Sequence, residues 1–250
     1  MVSSGSILAR LKKKVFHLVA DRRLDQTPVL VKASPLSPQD AIGSTRRQDY
    51  VLLKGKERLL QAEVLGAKGQ AFTSSLGDFS GSLADVLALP LTDDFQRAVF
   101  LACVNALVCS TGLQKNTIHC KNSGPELCAG EAADYIRKMC APTSILMVGY
   151  QPALAEALNK EFNLKVVDLD PDNIGTVKNG VAIDDGRADL SAAIEKADLI
   201  FATGSTLCND TFDLFYQNGK KPVLTFGTTS AGACALLGIP RFCPQSTSGE

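Results

Sequence analysis

The chain has 250 residues, 45% of them hydrophobic, and its 26 basic and 26 acidic residues give a formal net charge of zero. This length favours two cores over one, so we expect two domains, residues 1–140 and 141–250. The scattered basic residues form no stripe, which argues against nucleic acid as a partner. The apolar stretches are too short for a bilayer and the first residues lack a signal-peptide core, so we expect a cytoplasmic protein without membrane contact.

Eight cysteines occur in the chain without a single Cys-x-x-Cys pair. A cytosolic protein keeps its thiols reduced, and the missing pairs remove the usual signatures of compact zinc and thioredoxin sites. His119 stands beside Cys120, with Cys128 eight residues further on. Imidazole and thiolate are good soft-metal ligands, but this spacing matches no compact site, so a structural role is favoured.

The first part of the chain predicts an α+β domain. An amphipathic helix comes first, and a small antiparallel sheet is predicted after it, with strands at residues 28–36, 50–54, 59–65 and 71–75. A Gly- and Ser-rich connection at 74–82 then leads to a short helix at 83–89. Thr92 or Asp93 caps a helix over 95–110 that is apolar almost all round and therefore buried, between the sheet and the other domain. Asn105 in this helix either bonds a neighbouring loop or lies at the edge of a ligand cleft, because an unpaired buried amide costs about 1–3 kcal/mol.

The second part of the chain alternates strands and helices, which predicts an α/β fold with a parallel sheet covered on both faces. Residues 112–130 are expected to form a loop, followed by a helix over 131–139 that leads into this domain. The strands are predicted at 145–149, 165–169, 199–203, 223–226 and 241–243, and the helices at 152–161, 190–196, 211–217 and 231–237. Right-handed crossovers then place the strand-to-helix loops on one rim of the sheet.

Two segments of this rim follow the first two strands. Gly149 permits a tight turn before Tyr150, and the helix start behind them offers backbone donors to an anion. A GxGxxG fingerprint is absent, so tight pyrophosphate binding is poorly supported. Asp168 and Asp170 follow the second strand, where an acidic residue grips ribose hydroxyls in many Rossmann folds; the same carboxylates could hold a cation or cap the turn.

Two further segments follow the next strands. The first is the densest polar stretch of the chain, and its candidate ligand-binding residues are Thr203, Gly204, Ser205, Thr206 and Asn209, with Cys208 as a candidate metal ligand. Helix capping by Asn209 or Asp210 explains only part of this stretch. The other segment holds Gly227, Thr228 and Thr229. No GxSxG elbow occurs, which disfavours hydrolase chemistry.

Four segments of the second domain carry a family resemblance: VGYQPAL (148–154), VVDLDPDNIG (166–175), ADLIFATGSTLCNDTFDLF (197–215) and PVLTFGTTSAGACALLGIPRF (222–242). In order and separation they resemble the putative heavy-metal chelation family, a domain of unknown function. The resemblance implies a Rossmann-like C-terminal domain and, with VNAL (104–107) matching a long helix, an enolase-N-terminal-like N-terminal domain. It also implies a cleft between the domains that binds a metal or a metallo-compound.

Together these features predict a protein that binds a small molecule or a divalent heavy metal in an interdomain cleft, with Cys208 as thiolate ligand. The alternative is an enzyme or sensor for a nucleotide-like or S-adenosylmethionine-like cofactor, with Asp168 on the ribose and the Gly149 loop near a phosphate or carboxylate. A third interpretation is a non-catalytic interaction module with a large apolar interface. A homodimer is the expected assembly.

Overall fold

The computed structural model describes residues 5–33, 42–50, 53, 58–216 and 220–249, which form two sheets and the helices around them. The strands are β1 (Pro28–Ala33), β2 (Arg58–Val64), β3 (Ala67–Thr73), β4 (Phe79–Ser82), β5 (Ser144–Val148), β6 (Asn163–Asp168), β7 (Val177–Lys178), β8 (Val181–Asp185), β9 (Leu199–Thr203), β10 (Val223–Phe226) and β11 (Arg241–Phe242). The helices are α1 (Ile7–Asp21), α2 (Leu83–Ala88), α3 (Asp94–Ser110), α4 (Gly124–Cys140), α5 (Pro152–Asn159), α6 (Ser191–Lys196), α7 (Ser205–Cys208) and α8 (Ala231–Leu237).

The first sheet is antiparallel, with the strand order β3-β2-β1-β4. Leu65 and Gly66 form the two-residue turn between β2 and β3, and both have positive φ, as a hairpin with the right-handed strand twist requires. The hairpin predicted around residues 50–57 lies for the most part outside the described residues. The connection predicted over 74–82 is wrong at its end, because β4 forms there and pairs with β1. The β4 sequence FSGS has no apolar alternation, so the strand forms through its pairing with β1 and not through local sequence preference.

Helix α3 lies between the two sheets, as its apolar sequence predicts. Asp93 caps it by accepting a 2.9 Å hydrogen bond from the N–H of Gln96. Every residue from Arg97 to Val108 is buried. One side packs on β2 and β3, so closely that a methyl group added to Gly69 would overlap the helix backbone, and another side packs on α7 and α8.

The second sheet has the order β11-β10-β9-β5-β6-β8-β7 and is parallel except for the β7–β8 pair. Starting from β5, two parallel strands follow on one side and three on the other, which is the 3-2-1-4-5-6 order of Rossmann folds. Leu146 belongs to the apolar cluster around α3, and its neighbour Met147 to the cluster around α4 and α5. Both faces are therefore covered, and the predicted α/β fold with a Rossmann-like sheet is confirmed.

Three local predictions are wrong in the second half. Helix α4 begins at Gly124 instead of 131, because Pro125 fits a first helical turn as well as it fits a loop. Phe212–Leu214 is a short 3-10 helix where a longer helix was expected, and α7 forms within the segment predicted as a loop. Strands β7 and β8 were not predicted.

No helix in the described ranges has both the length and the apolar character needed to cross a bilayer. All eight cysteines are free. The apolar cluster around α3 contains residues from both predicted domains, such as Leu60 and Ile200. The division at residue 140 and the enolase-N-terminal-like character of the first part stay predictions.

Candidate functional site

A cavity of about 690 Å³ opens at the carboxyl ends of β5, β6, β9 and β10. Residues of the first sheet, the loop before α4 and the chain after β11 complete its wall, among them Phe72, Thr73, His119, Cys120 and Cys243. The strand order reverses between β5 and β9, and open α/β sheets bind their ligands in the crevice at that point. The volume lies in the range of small-molecule sites, about 300–1,000 Å³.

Gly149 and Thr203 meet at the reversal point, at the ends of β5 and β9. Gly149 has a φ of +90°, and a Cβ at this position would overlap the side chain of Thr203. Its N–H donates a 2.8 Å hydrogen bond to the carbonyl of Val167 on β6. Glycine is therefore required here both for the backbone conformation and for the close approach of the two loops.

Asp168 joins the two loops beside the reversal point. One carboxylate oxygen accepts a hydrogen bond from the N–H of Tyr150, and the other accepts one of 2.7 Å from the N–H of Asp170. Each oxygen thus already has a backbone donor, which is the turn-capping role named among the sequence-based alternatives. Asp168, Asp170 and Tyr150 all line the cavity. Burial raises the pKa of the Tyr150 phenol, whose oxygen accepts from Asn179.

The polar segment after β9 lies on the cavity wall. Thr203, Gly204, Ser205, Thr206 and Asn209 line the cavity, as predicted for ligand-binding residues. Thr206 donates a 2.6 Å hydrogen bond to the carbonyl of Thr203, which closes the turn into α7. Cα of Gly204 packs against the backbone of Ser230, where an added Cβ would lie 2.6 Å from the nitrogen.

The segment after β10 contributes Gly227 and Thr229 to the wall, whereas Thr228 lies outside it. Thr229 accepts a 3.0 Å hydrogen bond from the N–H of Phe72 on β3, which ties the two sheets together. Asn105 also lies outside the cavity lining and is fully buried. Its amide bonds only backbone groups, so its observed role is structural.

Cys208 is fully buried and is not among the residues of the cavity wall. Its carbonyl accepts a hydrogen bond from Nε of Arg97, a residue of α3 that is itself buried. Within the described ranges, no three His, Cys, Asp or Glu side chains are arranged as a metal site. The eleven other predicted residues named above converge on the cavity, whereas Cys208, Asn105 and Thr228 do not.

Several residues of the wall were not predicted as part of the site, and they come from distant parts of the chain. They are Tyr50, Phe72, His119, Cys120, Cys128, Asn173 and Cys243. Burial lowers the pKa of His119 to about 4, and its ring contacts the Phe72 ring at 5.3 Å between centroids. Nδ2 of Asn173 is buried and has no hydrogen-bond partner within the described part of the chain, while its Oδ1 accepts from Lys178. The adjacent His119 and Cys120 were the one signal in the sequence that pointed to this side of the wall.

The parallel sheet and the cavity at its reversal point define the class as an α/β protein with a Rossmann-like sheet. Residues 131–230 match the model of the DUF364 family, described as putative heavy-metal chelation. This match confirms the resemblance seen in the sequence. It ends before α8 and excludes the part of the cavity wall that comes from residues 42–128 and 242–243.

Two solved structures resemble this chain, and both are described as DUF364 family proteins of unknown function. The protein from Pyrococcus horikoshii aligns with a TM-score of 0.55 and 15% identity, over 90% of this chain and 80% of its own. The protein from Desulfitobacterium hafniense DCB-2 aligns with a TM-score of 0.46 and 14% identity, over 72% and 71%. At such identities the first likeness supports the fold alone. No curated protein matches the chain.

Proposed function

We propose that this protein binds a small metal-bearing or anionic ligand in the cavity at the carboxyl ends of β5, β6, β9 and β10. The observation that carries the proposal is the position of this 690 Å³ cavity at the point where the strand order reverses. Parallel α/β sheets place their ligands there because helix starts and loop backbones converge on that point.

The wall of the cavity supports a ligand with an apolar body and a polar end. Aromatic rings of Tyr50, Phe72, Phe226 and Phe242 form much of the wall. Hydroxyl and amide groups of the segment after β9 form a polar part. Nδ2 of Asn173, which has no partner among the residues that the structure describes, offers further donors, and a ligand acceptor placed there would remove the cost of a buried unsatisfied amide.

The metal-bearing form of the proposal draws on the description of the family and on the thiols of the wall, since soft metals prefer sulfur. Cys208 would have to leave its buried position to reach the cavity, so we assign the thiolate role to other cysteines. We extend the proposal to a cytoplasmic location, which the eight free thiols support, and to a homodimer.

Equilibrium dialysis of the full chain tests the proposal. Cu⁺, Hg²⁺, Cd²⁺, S-adenosylmethionine, ATP and NAD are offered one at a time under reducing conditions. Leu169→Trp narrows the cavity because Leu169 lines it, and Leu113→Trp is the matched control on an exposed side chain outside the wall. We expect at least one compound to bind wild type and Leu113→Trp but to be lost from Leu169→Trp. Equal binding by all three proteins would refute the cavity as the site.

A nucleotide-like cofactor is the second candidate function, and the 3-2-1-4-5-6 strand order favours it. Against it, both carboxylate oxygens of Asp168 already accept backbone hydrogen bonds, and the glycine-rich fingerprint is absent. Binding of an adenine-containing compound with no metal binding would favour this candidate. Metal binding without any adenine-containing ligand would exclude it.

A further inference from the structure

Three cysteines of the cavity wall come from three separate segments of the chain. Cys120 belongs to the loop before α4, Cys128 to α4 itself and Cys243 to the segment after β11. Cys120 and Cys128 are each 8% exposed, so both are accessible chiefly from the cavity. All three lie outside residues 131–230, which match the family model.

Cys120 and Cys128 form a close pair. The side chain of Cys120 packs on Gly124, the first residue of α4, where an added methyl group would overlap its Cβ. Cys128 lies one turn further along the same face of that helix, four residues after Gly124. Both side chains line the same cavity, and the other thiol is the largest single influence on the pKa of each, which indicates that the two lie side by side.

The surroundings of the pair lower the pKa of Cys128. The interaction with Cys120 has the largest effect on the pKa of Cys128 and lowers it. The backbone N–H of Gln245 and the charge of Arg241 also lower this pKa, whereas burial and the charge of Glu131 raise it. The same pairing and burial raise the pKa of Cys120. Each thiol therefore changes the pKa of the other.

We infer that Cys120 and Cys128 bind one soft d¹⁰ metal ion of low coordination number, such as Cu⁺ or Hg²⁺, at the wall of the cavity. Each sulfur forms one metal–sulfur bond, and any proton that it carries is released to solvent. The inference rests on the proposed function and names the site of its metal-bearing form. Two sulfur ligands suit an ion that accepts linear coordination, whereas a structural zinc site takes four ligands.

The choice between these metal classes also follows from the residues around the pair. The described ranges contain no group of three or more His, Cys, Asp or Glu side chains with metal-site geometry, although His119 and Cys243 also line the cavity. Nδ1 of His119 is buried without a hydrogen-bond partner among the described residues.

Competition for Cu⁺ with bicinchoninate, under anaerobic and reducing conditions, tests the site in the full chain. Wild type is expected to withdraw one tightly held ion from the chelator. Cys120→Ser and Cys128→Ser should each bind it at least about tenfold more weakly. Cys140→Ser, on an exposed cysteine outside the wall, is the matched control and should bind as wild type does. Thermal melts of the metal-free variants establish that each is folded.

The outcomes separate this site from the proposed function. Cys243→Ser is measured in the same way, because Cys243 also lines the cavity. The inference is overturned if wild type withdraws no Cu⁺, if Cys120→Ser and Cys128→Ser bind as tightly as wild type, or if only Cys243→Ser loses the ion. In each of these cases, an organic compound that binds wild type but not Leu169→Trp would leave the cavity as a ligand site without the metal. If neither Cu⁺ nor an organic compound binds in this way, both the cavity site and the thiol-pair site are refuted.

Discussion

Oδ1 of Asn105, in the middle of α3, accepts a 2.6 Å hydrogen bond from the backbone N–H of Gly232 at the start of α8. Nδ2 of the same side chain donates to the carbonyls of Gln70, Thr228 and Thr229, at 2.8, 3.1 and 3.1 Å. One amide therefore connects β3 of the first sheet with the loop that follows β10 of the second. It holds the backbone of Thr229, which lines the cavity, although Asn105 itself does not line it.

Asn105→Ala is expected to be strongly destabilising. It removes the hydrogen bonds that Asn105 makes with the N–H of Gly232 and with the carbonyls of Gln70 and Thr229, all of them buried, and we expect a loss of about 3 kcal/mol in the free energy of unfolding. Urea denaturation measures this loss. Asn163→Ala, on an exposed side chain of β6, is the control and should change stability by no more than about 0.5 kcal/mol. Equal effects of the two substitutions would show that the amide network contributes nothing.

Gly204→Ala is expected to disturb the cavity wall through one contact. The added Cβ would lie 2.6 Å from the backbone nitrogen of Ser230, so the loops after β9 and β10 must move apart, at a cost of about 1–3 kcal/mol. Gly130→Ala within α4 meets no atom within 4 Å and should stabilise the helix by about 0.5–1 kcal/mol. Opposite signs in thermal melts are the predicted result. A Gly204→Ala protein as stable as wild type would contradict the close packing of the two loops.

The protein should lose stability as the pH is lowered, because His119 takes up a proton more readily in the unfolded chain than in the folded one. Burial lowers its pKa in the folded state to about 4, against about 6.5 in the unfolded chain, so the unfolded state binds more protons between these values. Stability is then complete above pH 6.5 and decreases as the pH falls towards 4, by no more than about 3 kcal/mol from this group.

His119→Gln removes this titration and should flatten the dependence of the unfolding free energy on pH between 6.5 and 4. His17→Gln, on an exposed residue of α1, is the control and should keep the wild-type slope. Identical slopes in all three proteins would mean that His119 does not titrate abnormally.

Asp168→Asn tests the capping role of this carboxylate. An asparagine retains one oxygen acceptor, but its NH2 group replaces the other. This NH2 group then faces the backbone N–H of either Tyr150 or Asp170, which donates a hydrogen bond to the carboxylate in wild type. We expect a loss of about 1–3 kcal/mol in the free energy of unfolding. Asp184→Asn breaks only the exposed ion pair with Lys165 and should cost less than about 1 kcal/mol. A neutral effect of Asp168→Asn would show that the two loops do not depend on the carboxylate.

The sequence predicted those parts of the fold that local pattern determines. The apolar runs that became β9 and β10 had the observed bounds, and the capped, fully apolar α3 was expected between the sheets. Strand β4 and the start of α4 were missed because sheet pairing in one case and a proline with two possible roles in the other decide their structure.

The candidate site was predicted only where it follows strand ends. The rim segments after β5, β6, β9 and β10 line the cavity, because parallel strands bring these loops to one edge. The opposite wall, with Phe72, Cys120 and Cys243, depends on how the first sheet and the C-terminal segment pack against that edge. No spacing in the sequence encodes that packing. Cys208 was a plausible ligand by its neighbours, but it is fully buried and does not line the cavity.

The most direct measurement of the central claim is a crystal structure of the protein with the compound that dialysis identifies. We expect ligand density inside the 690 Å³ cavity, between the Gly149 loop and Ser205 and against the aromatic wall. A second hollow near Glu131, Tyr135 and Arg241 offers a comparison site on the same molecule. Density in that hollow or elsewhere on the surface, with the large cavity empty, would contradict the account.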